Sequence, residues 1–375
     1  DTVLKGLMRS RFHAEPMIGA TGLLLQERAP TGGVITTPLK EEETAPAALT
    51  IQLQSGGRHL RTADTNTPVT HLLSNGRYSV MLTAAGSGYS KWGDQAVTRW
   101  RRDSTLDNWG SYIYLQRAGS PHVWTAGLQP SGVEAESCDI EFLEDRATYT
   151  RQDNRLTTTL EVLVSAEDDA ELRRISVRNS GTAAVEVYVT SYVELALCPP
   201  GMDISHPAFA KMFVQTEYLP ACKAIIATRR KRNPSDPEIW AAHLVVGGSE
   251  LSIETDRSRF IGRGRDLRDP VAVTGTGPLS GSTGTVLDPV FSARCKLTLP
   301  ARSTRHVSFW TIVASTREAL MQSIVRHQND ADLDRALTLA WTHAQVHLRH
   351  LDIQPVQADL FQQLAGHLLF PGPAL

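Results

Sequence analysis

Apolar and polar residues alternate through the middle of the chain, which is the pattern of half-buried β-strands. The alternation begins near residue 71 and recurs as far as residue 313, with turn residues such as Asn75-Gly76 between the segments. Since about fifteen such strands follow one another without helical patterns, the sequence predicts a mainly β fold, a large antiparallel β-sandwich over residues 71–314. The predicted strands include residues 77–82, 111–115, 156–164, 172–177, 185–190, 291–299 and 305–313.

After residue 314 the apolar spacing changes to three and four residues, which is the period of an α-helix. Ser315 and Glu318 fit a capping box that would start the first of these helices. A further helix is predicted to start near Pro355. We therefore assign residues 315–352 to a helical linker and residues 353–375 to the first helix of another domain. The apolar face of the linker helix consists of Leu333, Leu337, Trp341, Ala344, Leu348 and Leu351.

Two other segments lack the strand pattern. Residues 1–28 carry a helix-like pattern and are predicted to be the tail of a preceding domain, while residues 29–70 read as a linker. The first residue is Asp and no signal-peptide pattern follows, so we expect both ends to continue into a longer protein. Residues 262–288 are rich in Gly, Asp, Thr and Pro and are predicted to form one long surface loop.

The composition excludes several classes of function. Lys plus Arg number 38 and Asp plus Glu number 40, so no basic excess points to nucleic acid. No uninterrupted apolar run is long enough to span a bilayer. The four cysteines are far apart and form no CxxC pair, which argues against a zinc site and favours reduced thiols in the cytoplasm.

The densest group of aromatic and polar side chains lies between His71 and Gly110. Aromatic rings suit the apolar faces of sugars, whereas Asp, Asn and Arg suit their hydroxyl groups. Gly86 and Gly88 are expected to form a turn after a strand that ends near Thr83, so that the following residues cluster on one side of the sandwich. The candidate substrate-binding residues are Tyr89, Trp92, Asp94, Arg99, Trp100 and Arg101.

A structural interpretation of the same segment stays open. In it, Trp92, Trp100 and Trp109 fill a domain interface, and Arg99 and Arg101 pair with Asp94 and Asp103. Other candidate signals favour structural roles. His343, His347 and His350 lack the carboxylate of a metal site and indicate a solvated helix face. The basic run 229–232 is predicted to be a charged hairpin tip, and the acidic residues 167–169 a solvated turn.

The segment LLSNGRYSVMLTAAGSGYSKWGDQAVTRWRRDSTLDNWGSYIYL, residues 72–115, resembles the start of the phosphorylase-type region of cyclic β-1,2-glucan synthases. That region belongs to glycoside hydrolase family 94, which includes cellobiose and chitobiose phosphorylases. The family's Gly-x-Gly-Tyr/Phe-Ser loop matches at residues 86–90. The later segments HPAFAKMFVQTEY and DLFQQLAGHLLFP are similar to the sandwich and to the entry into the helical barrel of these proteins.

The resemblance implies a supersandwich of the galactose mutarotase type, followed by linker helices and an (α/α)6 barrel. It implies inverting phosphorolysis of a β-glucoside, in which a barrel Asp is the acid and phosphate replaces water. No catalytic residue is therefore expected in this chain. The resemblance implies no cofactor beyond phosphate as co-substrate, and no metal.

The expected partners are a β-glucan oligosaccharide and the barrel of the same parent chain, with a homodimer as a further possibility and no nucleic acid. The expected location is the cytoplasmic side of the bacterial inner membrane, where the parent is embedded. Three functions remain as alternatives: a sandwich that completes the cleft of the barrel, a self-sufficient carbohydrate-binding sandwich, and a structural sandwich that mediates dimer contact.

Overall fold

The computed structural model describes residues 52–54, 57–234, 236–275 and 277–371. The predicted helical tail 1–28 lies outside the described residues. The strands are β1 (Gln52–Gln54), β2 (Gly57–Leu60), β3 (Thr70–Ser74), β4 (Tyr78–Thr83), β5 (Gly88–Trp92), β6 (Gln95–Thr98), β7 (Tyr112–Arg117), β8 (Val123–Thr125), β9 (Ser137–Phe142), β10 (Arg146–Asp153), β11 (Leu156–Val164), β12 (Ala170–Asn179), β13 (Val185–Cys198), β14 (Val214–Leu219), β15 (Ala224–Arg229), β16 (Trp240–Gly247), β17 (Ser249–Asp256), β18 (Pro289–Leu299) and β19 (Ser303–Ala314).

Short helices interrupt the strand series, and longer ones follow it. They are α1 (Pro200–Ser205), α2 (Pro207–Lys211), α3 (Arg257–Ile261), α4 (Val271–Thr274), α5 (Arg317–Arg326), α6 (Asp330–His350) and α7 (Pro355–Leu369). None of the helices in the described ranges is both long and apolar enough to cross a membrane.

The strands form two large antiparallel sheets, which confirms the predicted sandwich. One sheet has ten strands in the order β1-β2-β9-β10-β11-β12-β19-β16-β15-β14. The other has nine strands, in which β17-β18-β13-β6-β5-β4-β3 form the main path and β7 and β8 extend from β13. The long strand β13 pairs with β7 over its first half and with β6 near its end.

The main core lies between the two sheets. Leu160 and Val162 on β11 face it from one sheet, while Val187 and Val189 on β13 face it from the other. Because successive side chains of a strand point to opposite faces, this alternation follows directly from the period of two in the sequence. Each such side chain stabilises the fold by about 1.5–3 kcal/mol relative to an exposed one.

Helices cover part of the outer face of the ten-stranded sheet. Leu320 and Ile324 of α5 and Leu333 of α6 pack against Trp310 and Leu172. Because this sheet is covered on both faces here, every side chain of β19 from Val307 to Ala314 is buried. The helical pattern predicted from Leu333 to Leu351 is confirmed by α6, although Trp341 on its predicted apolar face is 54% exposed.

The helix α7 starts at Pro355, as predicted, and lies beside the edge strand β3. The side-chain amide of Gln362 donates to the carbonyl of Leu72 at 2.8 Å and accepts from its amide at 2.9 Å. Gln362 therefore pairs with two backbone groups of the edge strand β3 that would otherwise lack a hydrogen-bond partner. The opposite face of α7 is apolar and exposed, with Val356, Leu360, Phe361, Leu364 and Leu368 on it.

Three boundary predictions are corrected. The predicted linker 29–70 is wrong for its second half, because β2 pairs with β9 and the buried Arg58 donates to the carbonyl of Thr70. The capping box at Ser315 is wrong, since the N-cap is Thr316. The predicted surface loop 262–288 contains α4, which packs on the outer face of the nine-stranded sheet through Val273.

Candidate functional site

The turn between β4 and β5 follows β4 at Thr83, as predicted. Gly86 and Gly88 both have positive φ angles, of 93° and 148°. A Cβ atom on Gly88 would lie 1.9 Å from the carbonyl oxygen of Met81, so only glycine lets β5 approach β4 here. The amide of Gly88 also donates to the carbonyl of Trp109 at 2.8 Å, which joins the turn to the loop over 99–110.

Three aromatic rings lie in a row from β5 of the nine-stranded sheet to the end of α7. The rings of Tyr89 and Trp100 have centroids 5.2 Å apart and meet edge to face. Trp100 meets Phe370 in the same manner at 6.0 Å. We call Tyr89, Trp100 and Phe370 the aromatic row. It joins the sheet to the C-terminal end of α7, and both Tyr89 and Trp100 keep part of their surface in solvent.

Arg99, the residue before Trp100, and Asp203 are the centre of a buried ion cluster, and they are 3% and 1% exposed. The Nε of Arg99 donates to Asp203 at 3.1 Å, while its Nη1 lies 3.4 Å from Glu194 and 3.2 Å from Asp288. Asp203 also pairs with Arg101 at 2.6 Å. We call Arg99, Asp203, Glu194 and Asp288 the buried ion cluster.

The charges of this cluster stabilise one another. Burial alone would raise the pKa of Glu194, but Arg257, Tyr192 and Arg99 together hold it below its usual value. Burial opposes the charge of Arg99, yet Asp203, Glu194 and Asp288 raise its pKa. A carboxylate that stays ionised is a poor general acid near neutral pH. The cluster is therefore suited to fixing the loop over 99–110 and not to proton transfer.

The loop itself presents a cation and an aromatic ring. The guanidinium group of Arg101 lies over the ring of Trp109 at 5.7 Å.

Further along the loop, Asp107 accepts a hydrogen bond from the hydroxyl of Thr83 at 2.7 Å, and burial raises the pKa of Asp107 to about 6. Asp107 is thus held in place by the β4–β5 turn, and its carboxyl group titrates closer to neutrality than an ordinary aspartate.

The six predicted site residues do not share one surface. Tyr89 and Trp100 meet in the aromatic row, but Trp92 packs on the core between the sheets and donates to Asp169 at 2.8 Å. The expectation of a common face is therefore wrong for Trp92, because it lies three residues from Tyr89 on one strand and points the opposite way. It is also wrong for Arg99, which is buried. Asp94 is exposed in the β5–β6 turn.

The alternative pairing of Arg99 and Arg101 with Asp94 and Asp103 is wrong as well. Both arginines meet at Asp203, which is 104 residues from Arg99 in sequence. The carboxylate of Asp103 instead accepts hydrogen bonds from backbone amides of its own turn. Sequence reasoning missed Asp203 and Phe370 because no local pattern marks a partner that the fold brings from so far away.

The other candidate signals have structural explanations. Asp168 and Asp169 do not form a solvated turn, because Asp168 pairs with His327 at 2.9 Å and Asp169 accepts from Trp92. The basic run lies at the β15–β16 hairpin, as predicted, and the guanidinium of Arg229 lies 5.4 Å from the ring of Phe213. No group of three or more potential ligands among the described residues could hold a metal.

The chain matches the family model of the glycosyl hydrolase 94 supersandwich domain over residues 57–330, and it belongs to this family. The match confirms the resemblance and the predicted fold class. A role in carbohydrate metabolism follows from this membership and from the relatives below.

The chain is 39% identical over 375 residues, or 99% of its length, to the cyclic beta-(1,2)-glucan synthase NdvB of Rhizobium meliloti (strain 1021). It is 23% identical over 287 residues, 75% of its length, to the N,N'-diacetylchitobiose phosphorylase of Vibrio proteolyticus. It spans 13% and 35% of these two relatives. A bacterial glucoamylase complexed with acarbose is similar at a TM-score of 0.42 and 10% identity, over 77% of this chain and 40% of that one.

Proposed function

We propose that this chain is the carbohydrate-facing β-sandwich of a bacterial cyclic β-1,2-glucan synthase or a related inverting β-glucoside phosphorylase. In this proposal it forms one wall of a cleft, and an (α/α)6 barrel of the same parent chain forms the other. The aromatic row is the observation that carries the proposal. The rings of Tyr89 and Trp100 are partly exposed, and the row lies where the sandwich meets α7.

The exposed face of α7 supports a helical partner beside the row. Leu360, Phe361, Leu364 and Leu368 lie on that face, and Leu368 is 83% exposed. A contiguous apolar surface of this kind usually marks an interaction site. Helices of an (α/α)6 barrel would cover this face, and their loops would then lie next to Tyr89 and Trp100. This arrangement agrees with the family resemblance of residues 359–371.

The chemistry of the sandwich surface suits binding more than catalysis. The ring faces of Tyr89 and Trp100 can contact the apolar faces of glucosyl units, and Arg101 can donate to their hydroxyl groups. The buried ion cluster holds these groups in place, so little conformational entropy is lost on binding. In this proposal the barrel provides the acid, inorganic phosphate is the co-substrate, and the sandwich orients the sugar and excludes water.

The proposal also covers the setting of the parent protein. We place the chain on the cytoplasmic side of the bacterial inner membrane, as part of a membrane-embedded synthase, and a homodimer is compatible with it. The free thiols of Cys138, Cys198, Cys222 and Cys295 agree with a reducing compartment.

An assay of the purified chain separates this proposal from a self-sufficient carbohydrate-binding sandwich. We expect no release of glucose 1-phosphate from β-1,2-gluco-oligosaccharides and phosphate, and a calorimetric Kd weaker than about 1 mM, since one wall of a cleft makes few contacts. Micromolar binding by the chain alone would favour the alternative. Release of glucose 1-phosphate by the chain would contradict the assignment of the acid to the barrel.

A further inference from the structure

A large cavity opens at the end of the sandwich away from the aromatic row. It has a volume of about 660 Å³ and lies among the β7–β8, β10–β11 and β12–β13 turns. On β13, Val187 pairs with Arg117 of β7, which lines this cavity. Further along the same strand, Leu195 pairs with Thr98 of β6, whose hydroxyl accepts a hydrogen bond from Ser90 of β5. Eight residues of strand separate these two pairs, which is about 26 Å. The cavity is therefore separate from the surface described above.

The floor of the cavity is apolar and aromatic. Trp124 and Leu156 line it and are buried. The exposed imidazole of His122 stacks on the indole of Trp124, with ring centroids 5.8 Å apart and an interplanar angle of 23°. A flat ring held in this way offers a face to the CH groups of a sugar.

Two arginine side chains lie at the rim of the cavity. Arg117 and Arg155 both line the cavity and are exposed, and neither has an ion pair among the described residues. The one carboxylate in the lining, that of Asp153, is already held by Arg151 through hydrogen bonds of 2.8 and 2.7 Å. Two guanidinium groups without a counter-charge favour an anion, and phosphate matches their planar donors.

The walls of the cavity are fixed before any ligand arrives. The side-chain amide of Asn179 donates to the carbonyl of Ala183 at 2.8 Å, which fixes the β12–β13 turn. The amide of Ser180 donates to the carbonyl of Arg155 at 2.9 Å and ties this turn to the β10–β11 turn. A site that needs no ordering of its loops loses less entropy on binding.

We propose that this cavity binds a phosphorylated saccharide. The sugar ring lies against His122 and the apolar floor, and the phosphate lies between Arg117 and Arg155. The volume is within the range of roughly 300–1,000 Å³ that small-molecule sites occupy. This inference does not rest on the proposed function, because it uses different residues, a different ligand and a different end of the sandwich.

Calorimetry with three probes tests the inference: glucose 6-phosphate, glucose and inorganic phosphate. We expect glucose 6-phosphate to bind at least tenfold more tightly than either fragment. The double variant Arg117→Ala/Arg155→Ala should weaken its binding at least tenfold, since both charge-assisted contacts are lost. The matched control is Arg263→Ala, another exposed arginine without an ion pair in the described ranges, and it should leave the affinity unchanged.

Thermal melting of the double variant guards against misfolding, and its midpoint should stay within a few degrees because both side chains are exposed. The inference is overturned if inorganic phosphate binds as tightly as glucose 6-phosphate. It is overturned equally if the double variant binds glucose 6-phosphate as the unmodified chain does, or if no binding is seen at millimolar concentration.

Discussion

Gly88→Ala is expected to destabilise the sandwich by about 3 kcal/mol or more, because it combines backbone strain with steric overlap. The added Cβ atom would lie 1.9 Å from the carbonyl oxygen of Met81, and the φ angle of 148° is one that other residues rarely adopt. Relief of the overlap would separate β5 from β4 and displace Tyr89 from the aromatic row. Urea unfolding followed by tryptophan fluorescence measures the effect.

Gly93→Ala is the matched control for this prediction. Gly93 also has a positive φ angle, of 53°, but a Cβ atom on it meets nothing within 4 Å. We expect this variant to lose only about 1 kcal/mol, since the conformational penalty is the same in kind and the overlap is missing. Equal unfolding midpoints for the two variants would show that the close approach of β4 and β5 does not limit the choice of residue at Gly88.

Asp203→Ala is the second prediction with a large effect, a loss of about 3–5 kcal/mol in the free energy of unfolding. Asp203 is the carboxylate that Arg99 and Arg101 share. Its removal leaves the buried guanidinium of Arg99 without its main partner, although Glu194 and Asp288 still lie within 3.4 Å of it. The loss should loosen the loop over 99–110, with faster amide hydrogen exchange at Trp100 and Arg101.

The control for the ion cluster is Asp94→Ala, which removes a carboxylate from an exposed turn. We expect it to change the free energy of unfolding by no more than about 0.5 kcal/mol. Asp203→Asn keeps the shape and one acceptor, so it should recover part of the loss. A value for Asp203→Ala close to that of Asp94→Ala would mean that the cluster does not stabilise the loop.

The sandwich could be predicted from the sequence because its strands are locally encoded. In the segment over 156–164, Leu156, Leu160, Val162 and Val164 recur at even spacing on one face, and the structure places a strand at the same bounds. The start of α7 at Pro355 was predictable for the same reason, since proline is favoured in the first turn of a helix. Strand alternation and a proline at a helix start can both be recognised from residues that are adjacent in sequence.

The candidate site could be predicted only in part, because its geometry depends on contacts between distant segments. The composition of residues 71–110 led to the prediction of a site there, and Tyr89 and Trp100 do meet. The direction of Trp92 could have been inferred from strand alternation, had the strand been located to the residue. The roles of Asp203 and Phe370 could not, since they lie 104 and 270 residues from their partners.

The kinetics of Trp100→Ala test the central claim most directly, in a protein that carries this chain together with its barrel. We predict that kcat/KM for phosphorolysis of β-1,2-gluco-oligosaccharides falls about tenfold or more, because a sugar-contacting ring is removed. Trp100→Phe should recover most of the loss, and Trp240→Ala, a half-buried tryptophan on the ten-stranded sheet, should leave kcat/KM unchanged. Equal kcat/KM values for Trp100→Ala and the unmodified enzyme, with both proteins folded, would contradict the account and leave the aromatic row a packing feature.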